Sequence, residues 1–430
     1  MPQPSQALSL PPTTARPSRA DVPSIGTQSV RYVNEMRALN VLFREGGMSR
    51  ASLARHLGLN RSTIGNIIGH LIDDGLVAER LHKAPADAGY RTGRPGITIE
   101  LERQCVTFIG AEIGVDRLTV VAIDLLGKVI ATQSLAYPTA SRLPDATMDT
   151  LAALILQVLQ RVPGSTKLGG IGIGIPALIA NGAVREASLI GWRDVCLASL
   201  LRQRLPAALA DGLPILVEND ANAFAIGETY SGTSAQSDVV AFFLINSGAG
   251  GGLVIGGRLF RGANGVAGEI GHLDIGGDGF VRNSGRPGSL ESYIGKAAVL
   301  DRYRARGGSG DATIDGLLQA LADGDPRARE VADEWAGWLT SGLLHVINII
   351  NPGLVIIGGS VGALYAFVSG SVEAELLARL SPGQPAPRVE LSRFGEEGAA
   401  FGSALLMHQR MFAIDGALVP LLSSSPTAQD

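Results

Sequence analysis

Between Val217 and Glu291 the sequence collects Asn219, Asp220, Glu269, His272 and Glu291, with Glu218 beside them, in the runs V-E-N-D-A-N-A, A-G-E-I-G-H and L-E. Glycines are set among them, including G-A-G-G-G at 248–252. Carboxylates accept hydrogen bonds, an amide and an imidazole both accept and donate, and glycine lets backbone approach closely. That inventory suits a small polyhydroxylated ligand. For any one of these residues a solvated loop position is the plainer alternative; the cluster as a whole argues for a site.

Such a cluster needs strands and helices to hold it. Leu213–Val217 reads as a buried strand leading into Glu218-Asn219-Asp220, and Val239–Ile245 as another running into a glycine-rich turn, Asn246 to Gly252, before a strand Leu253–Ile255. Upstream, Val106–Ile113, Leu118–Asp124 and Val129–Ala136 read as a three-strand meander, and Leu168–Ile175 as a buried strand closed by Pro176. Leu354–Ile357 is a further strand, and helices are expected over Asp145–Arg161, Glu334–Asn348 and Ala399–Met411. Strands alternating with helices in this way make an α/β body.

The first hundred residues have another texture. After a Pro/Ser/Thr-rich stretch to residue 26, Val33, Met36, Leu39 and Leu42/Phe43 fall on one helical face that stops at Gly46-Gly47. Ser49 is placed to cap a second helix ending near Gly58, and Asn60 a third whose inward face is Ile64, Ile67, Ile68 and Leu71. This is a helix-turn-helix pattern. Arg61, Ser62, Thr63 and Asn66 lie on the outer side of the third helix, near its start, where a recognition helix meets base edges. Gly65 and Gly69 each weaken that helix by roughly 1 kcal/mol, and close approach to DNA or to another helix would account for them. Two short strands follow, joined by a basic loop with Arg91 and Arg94 beside Gly93, Pro95 and Gly96. Arginines in such a wing suit a narrow minor groove. A small helical bundle with an ordinary linker is the alternative.

Composition sets the frame. The 430 residues are 46% apolar with mean hydropathy +0.22 and net charge −4, which supports a folded chain of more than one domain. Residues 1–103 hold 13 Lys/Arg against 9 Asp/Glu, whereas the remainder holds 23 against 31. A basic head on an acidic body directs any nucleic-acid partner to the head. No apolar run is long enough for a membrane helix, the N-terminal stretch lacks the apolar core of a secretory signal, and Cys105 and Cys196 have no metal-site spacing. A cytoplasmic protein without membrane contact is expected.

The motifs in their order resemble the ROK group of repressors, open reading frames and sugar kinases, and within it the helix-turn-helix regulators. The likeness rests on I-G-I-G-I-P (Ile171–Pro176), G-W-R-D (Gly191–Asp194), V-E-N-D-A-N-A (Val217–Ala223), R-G-A-N-G-V-A-G-E-I-G-H (Arg261–His272) and N-P-G-L-V-I-I-G-G (Asn351–Gly359). It implies a winged helix-turn-helix over residues 27–103, followed by a two-lobed actin-like ATPase/sugar-kinase-type domain. Its first lobe would span 104–226, completed by the helix near 399–412, and its second 227–398, between tails 1–26 and 413–430. The resemblance makes Asn219, Asp220, Glu269, His272 and Glu291 sugar-hydroxyl ligands, with Asp220 at the position of the kinase general base.

Two departures separate sensor from kinase. Kinase members carry Asp-x-Gly-x-Thr, whose acid assists the metal and whose hydroxyl helps hold phosphate, where this chain has Glu112-Ile113-Gly114-Val115-Asp116. A carboxylate in the hydroxyl's place repels a polyphosphate. Asn246-Ser247-Gly248 replaces the kinases' Gly-Thr-Gly more mildly. Many members also bind zinc through three cysteines and the histidine; aligned on Gly288–Glu291, this chain has Arg282, Ser284 and Ser289 at the cysteine positions, so no zinc and no other cofactor is expected. The expectation is a sugar-responsive regulator of carbohydrate genes, a repressor bound to operator DNA as a homodimer or homotetramer. An active sugar kinase carrying a DNA-binding module, and a DNA-binding protein whose sugar domain only dimerises, are the alternatives.

Overall fold

The computed structural model describes residues 27–82, 96–164, 166–230, 232, 237–276, 287–309 and 312–412. It begins with three helices, α1 (Thr27–Glu45), α2 (Arg50–Leu57) and α3 (Arg61–Asp73). Ser49 accepts the Ser52 N–H at 3.1 Å and Asn60 accepts the Thr63 N–H at 2.8 Å, each satisfying an amide that the helix itself leaves unpaired. Gly58 ends α2 in the left-handed region at φ 66°. Strands β1 (Val77–His82) and β2 (Gly96–Leu101) pair antiparallel, and Met48 bridges to Ile99. The result is a winged helix-turn-helix over a core of Met36, Leu39, Leu53, Ile64, Ile68 and Ile99.

A first sheet follows, made of β3 (Val106–Ile113), β4 (Arg117–Asp124), β5 (Val129–Ala136), then α4 (Pro144–Leu159) and β6 (Lys167–Ile175). A small antiparallel sheet of β7 (Leu178–Ala180), β8 (Ala183–Ala187) and β9 (Trp192–Val195) comes next, then helices α5 (Leu197–Arg202) and α6 (Ala207–Ala210). Strand β10 (Ile215–Asn219) runs directly into α7 (Asp220–Tyr230). The order is β10-β6-β3-β4-β5, with β6 parallel to both β3 and β10. Alternation decides the faces: Ile109, Ala111 and Ile113 pack with Met148, Leu151 and Ile155 of α4, whereas Phe108, Gly110 and Glu112 turn to the opposite side.

The second sheet holds β11 (Val239–Ile245), β12 (Ala249–Ile255) and β13 (Arg258–Leu259). Four helices follow, α8 (Glu291–Ile294), α9 (Lys296–Ala305), α10 (Ile314–Ala322) and α11 (Pro326–Ile350), then β14 (Leu354–Gly358), α12 (Tyr365–Arg379) and β15 (Arg388–Leu391). Its order is β13-β12-β11-β14-β15, over a core centred on Trp335, Leu339 and Leu343 of α11. The last helix, α13 (Gly398–Phe412), returns to the first sheet. It lies so close that a Cβ at Gly110 would sit 1.9 Å from the Ala400 carbonyl, and one at Gly172 would sit 2.0 Å from that of Ser403. Among the described residues no helix is long and apolar enough to cross a membrane.

Two expectations change. Gly250, Gly251 and Gly252 belong to β12, not to a turn, because that strand is squeezed from both faces. A Cβ at Gly251 would come 2.4 Å from Ile270, and one at Gly252 2.7 Å from Ala225. Gly65 and Gly69 face open space: a Cβ on Gly69 would meet nothing within 4 Å, and one on Gly65 only the Arg50 guanidinium at 4.0 Å. Among the described residues no helix packs closely against them.

Candidate functional site

Asn219, Asp220, Glu269, His272 and Glu291 line one cleft of about 310 Å³. They arrive on four different supports. Asn219 ends β10, and its Oδ1 accepts the Asn222 N–H at 3.0 Å while its Nδ2 donates to the Ala177 carbonyl at 3.3 Å. Asp220 opens α7 and accepts the Ala221 N–H at 2.9 Å. Glu269 and His272 flank a single 3₁₀ turn, with Nε2 and Oε2 3.7 Å apart. Glu291 starts α8, and its Oε2 accepts the Ala249 N–H at 3.0 Å, closing the loop between β11 and β12.

Glu218 is grouped with these residues by sequence. Its carboxylate is taken up within the protein, accepting the Asn222 amide at 3.2 Å and the Arg261 guanidinium at 2.5 Å. Its role is to tie the 261–272 loop, and with it Glu269 and His272, to the first sheet.

Burial governs the charges. Asp220 is pushed up to about 7, first by burial and then by Glu269 and Glu291 against the opposing Ala221 N–H. Burial also raises Glu269 and Glu291, with His272 pulling both back down. Glu112, at the end of β3, lines the same cleft and is pushed up to about 8 by burial, with Asp220 adding to the effect. Burial makes these carboxyls easier to protonate than exposed ones, so the wall can donate as well as accept, which is what neutral hydroxyls need.

The far end of the cleft is organised differently. Asp116 pairs with Lys296 of α9, and Arg117 with Glu396, two ion pairs at the cleft that join the two halves of the body. Asn246 Oδ1 accepts both the N–H of Ser360 at 2.8 Å and its hydroxyl at 3.2 Å, linking the loops after β11 and β14. Asp116, Lys296, Arg117 and Asn246 thus each have a partner within the protein. Among the described residues no three His, Cys, Asp or Glu side chains are grouped to hold a metal ion. Arg282 and Ser284 lie outside the described residues, and Ser289 is buried.

On the winged domain, Arg61, Ser62 and Asn66 are exposed and Thr63 half-buried along the start of α3. Arg91 and Arg94 lie outside the described residues. The contact that sequence reasoning missed joins this domain to the body. Phe43 of α1 packs on Tyr230 at 5.5 Å, on His408 at 4.8 Å and on Phe412 at 5.5 Å, and the Asn40 amide donates to the Phe412 carbonyl at 2.9 Å. Burial pulls His408 down to about 4, so its ring is neutral at pH 7. Its Nε2–H then donates to the Leu125 carbonyl at 2.7 Å and its Nδ1 accepts from the Tyr230 hydroxyl at 3.2 Å.

A winged helix-turn-helix on a two-lobed body with a polar cleft is the build of a DNA-binding protein on a sugar-kinase-type, actin-like scaffold. The chain belongs to the ROK family, whose profile matches residues 108–410, and a winged helix-turn-helix DNA-binding profile matches residues 34–78. It is 28% identical over 347 residues to the xylose repressor of Caldicellulosiruptor bescii, a match covering 76% of this chain and 83% of that one. Among solved structures, a ROK-family transcriptional regulator described as a homologue of the Escherichia coli MLC protein superposes with a TM-score of 0.73 at 25% identity, covering 89% of this chain and 97% of that one. A ROK-family glucokinase from Streptomyces griseus, solved with glucose and AMPPNP, superposes at 0.60 with 27% identity, covering 70% of this chain and 99% of that one.

Proposed function

We propose that this protein is a sugar-responsive transcriptional regulator, acting as a repressor of carbohydrate uptake or catabolism genes, with kinase activity lost. One observation carries the reading: α7 begins at Asp220 in the cleft and ends at Tyr230 against α1 of the DNA-binding domain. A ligand that moves Asp220 moves the support of the recognition helix. Asn219, Asp220, Glu269, His272 and Glu291 would bind the sugar hydroxyls, and Arg61, Ser62, Thr63, Asn66, Arg91 and Arg94 the operator. Such a switch needs the sugar to prefer one arrangement by a few kcal/mol. Two copies, as a homodimer or within a homotetramer, would present their recognition helices to successive major grooves, about 34 Å apart. The likeness to a xylose repressor makes xylose the first sugar to try, followed by hexoses and N-acetylated amino sugars.

The test is operator binding by the purified protein to its own upstream DNA, with and without each sugar. Release or tightening by a sugar that binds the cleft supports the reading; operator affinity untouched by every sugar that binds contradicts it. The likeness to a glucokinase, together with Asp220 at the general-base position, favours a second reading as a kinase. An ATP-coupled assay decides this one, since sugar-dependent turnover abolished by Asp220→Asn would establish it.

A further inference from the structure

We infer that Glu112 contacts the ligand and selects a free hydroxyl beside Asp220, so that the effector is an unphosphorylated sugar. This rests on the sugar-sensor reading above. Glu112 of β3 and Glu218 of β10 both stand in register with Gly174 of β6, on the same face of the sheet. Their situations differ. Glu218 has the Asn219 N–H, the Asn222 amide and Arg261 as partners. Glu112 is only 4% exposed and lines the cleft, yet its Oε2 has no hydrogen-bond partner among the described residues. A buried carboxyl oxygen left unpaired is destabilising, and a ligand hydroxyl placed there relieves the penalty.

Charge then defines the ligand. Glu112 and Asp220 line the same cleft and Glu112 feels the charge of Asp220, while Asp220 feels Glu269 and Glu291. A hydroxyl donated to Asp220 meets Glu112 as a second partner. A phosphate on that oxygen would bring up to two negative charges against the same carboxyls. The cations nearby are already committed, Lys296 to Asp116 and Arg117 to Glu396. A phosphate in a poorly solvated site lined by carboxyls must either face their charge or hold them protonated, and either cost lowers its affinity.

The experiment is calorimetry on the full chain with xylose, glucose and N-acetylglucosamine, and with the phosphate esters of the two hexoses. Wild type, Glu112→Ala, Glu112→Gln and Asp220→Asn are compared, with operator binding in the absence of sugar as the check on folding. A free sugar is expected to bind the wild type about a hundredfold more tightly than its phosphate ester. Glu112→Ala is expected to weaken that binding roughly tenfold, and Glu112→Gln, which still donates and accepts, to stay within about threefold. Either a phosphate ester binding as well as the free sugar, or Glu112→Ala binding like the wild type, overturns the inference. If Asp220→Asn abolishes binding while Glu112→Ala leaves it intact, the sugar-sensor reading stands without Glu112. If the wild type binds none of these ligands, both readings fall together.

Discussion

The two ends of the cleft follow opposite rules. At one end Asn219, Asp220, Glu269, His272, Glu291 and Glu112 line the space, with several carboxyls raised by burial. At the other, Asp116 holds Lys296, Glu396 holds Arg117 and Asn246 holds Ser360. The first end carries a cost of burial that a ligand can relieve. At the second, these named side chains are already paired with one another. A kinase requires both ends open to substrates, whereas a sensor requires only the first.

The comparison breaks most visibly at Asp220. Asp220→Ala is expected to weaken sugar binding by about a hundredfold or more, measured by calorimetry, because the contact to a hydroxyl and the start of α7 are lost together. Binding that survives intact would place the sugar elsewhere. Next in size is the opposite end. Asp116→Thr frees Lys296 and removes the like charge, and saturable binding of a non-hydrolysable ATP analogue is expected to appear where the wild type shows none. A variant that still shows no nucleotide binding would mean that Asp116 and its ion pair are not what keeps the nucleotide out.

Two smaller effects sharpen the contrast. Tyr230→Phe removes the hydroxyl shared with His408, and the operator response to sugar is expected to shrink by about threefold while sugar affinity is kept. Equal losses in both would mean that α7 is not the link. The last concerns pH. Asp220 near 7 and Glu112 near 8 keep protons in the folded chain that the unfolded chain sheds at about 4. Their contribution to stability is therefore full below about pH 4 and is lost as pH rises through 7 to 8. Melting temperatures of the ligand-free protein should fall across that interval, and more gently in Glu112→Gln. Identical slopes in the two proteins would remove Glu112 from the account.

Much of this was legible in the chain. Ser49, Asn60 and Gly58 mark helix ends by local hydrogen bonding and backbone preference, and the structure uses them so. The five cleft residues were readable because their motifs kept order and type, although they come from three separate segments. The part of Glu218, beside the five in the sequence, was not legible, because its partner Arg261 stands 43 positions away. The Gly250–Gly252 run was misread because glycine signals a turn locally, while here it answers crowding by Ala225 and Ile270 from distant segments. The seating of α1 on α13 was invisible for the same reason: Asn40 and Phe412 stand 372 positions apart.

The most direct test puts both ends of the cleft in one calorimeter cell. The same wild-type sample is titrated with a free sugar and then, sugar-saturated, with an ATP analogue and magnesium, and a parallel sample is assayed for turnover with ATP. The account predicts saturable sugar binding that depends on Asp220, no saturable nucleotide binding, and no sugar phosphate formed. Nucleotide binding to the sugar-loaded protein, with transfer to the sugar, would contradict it.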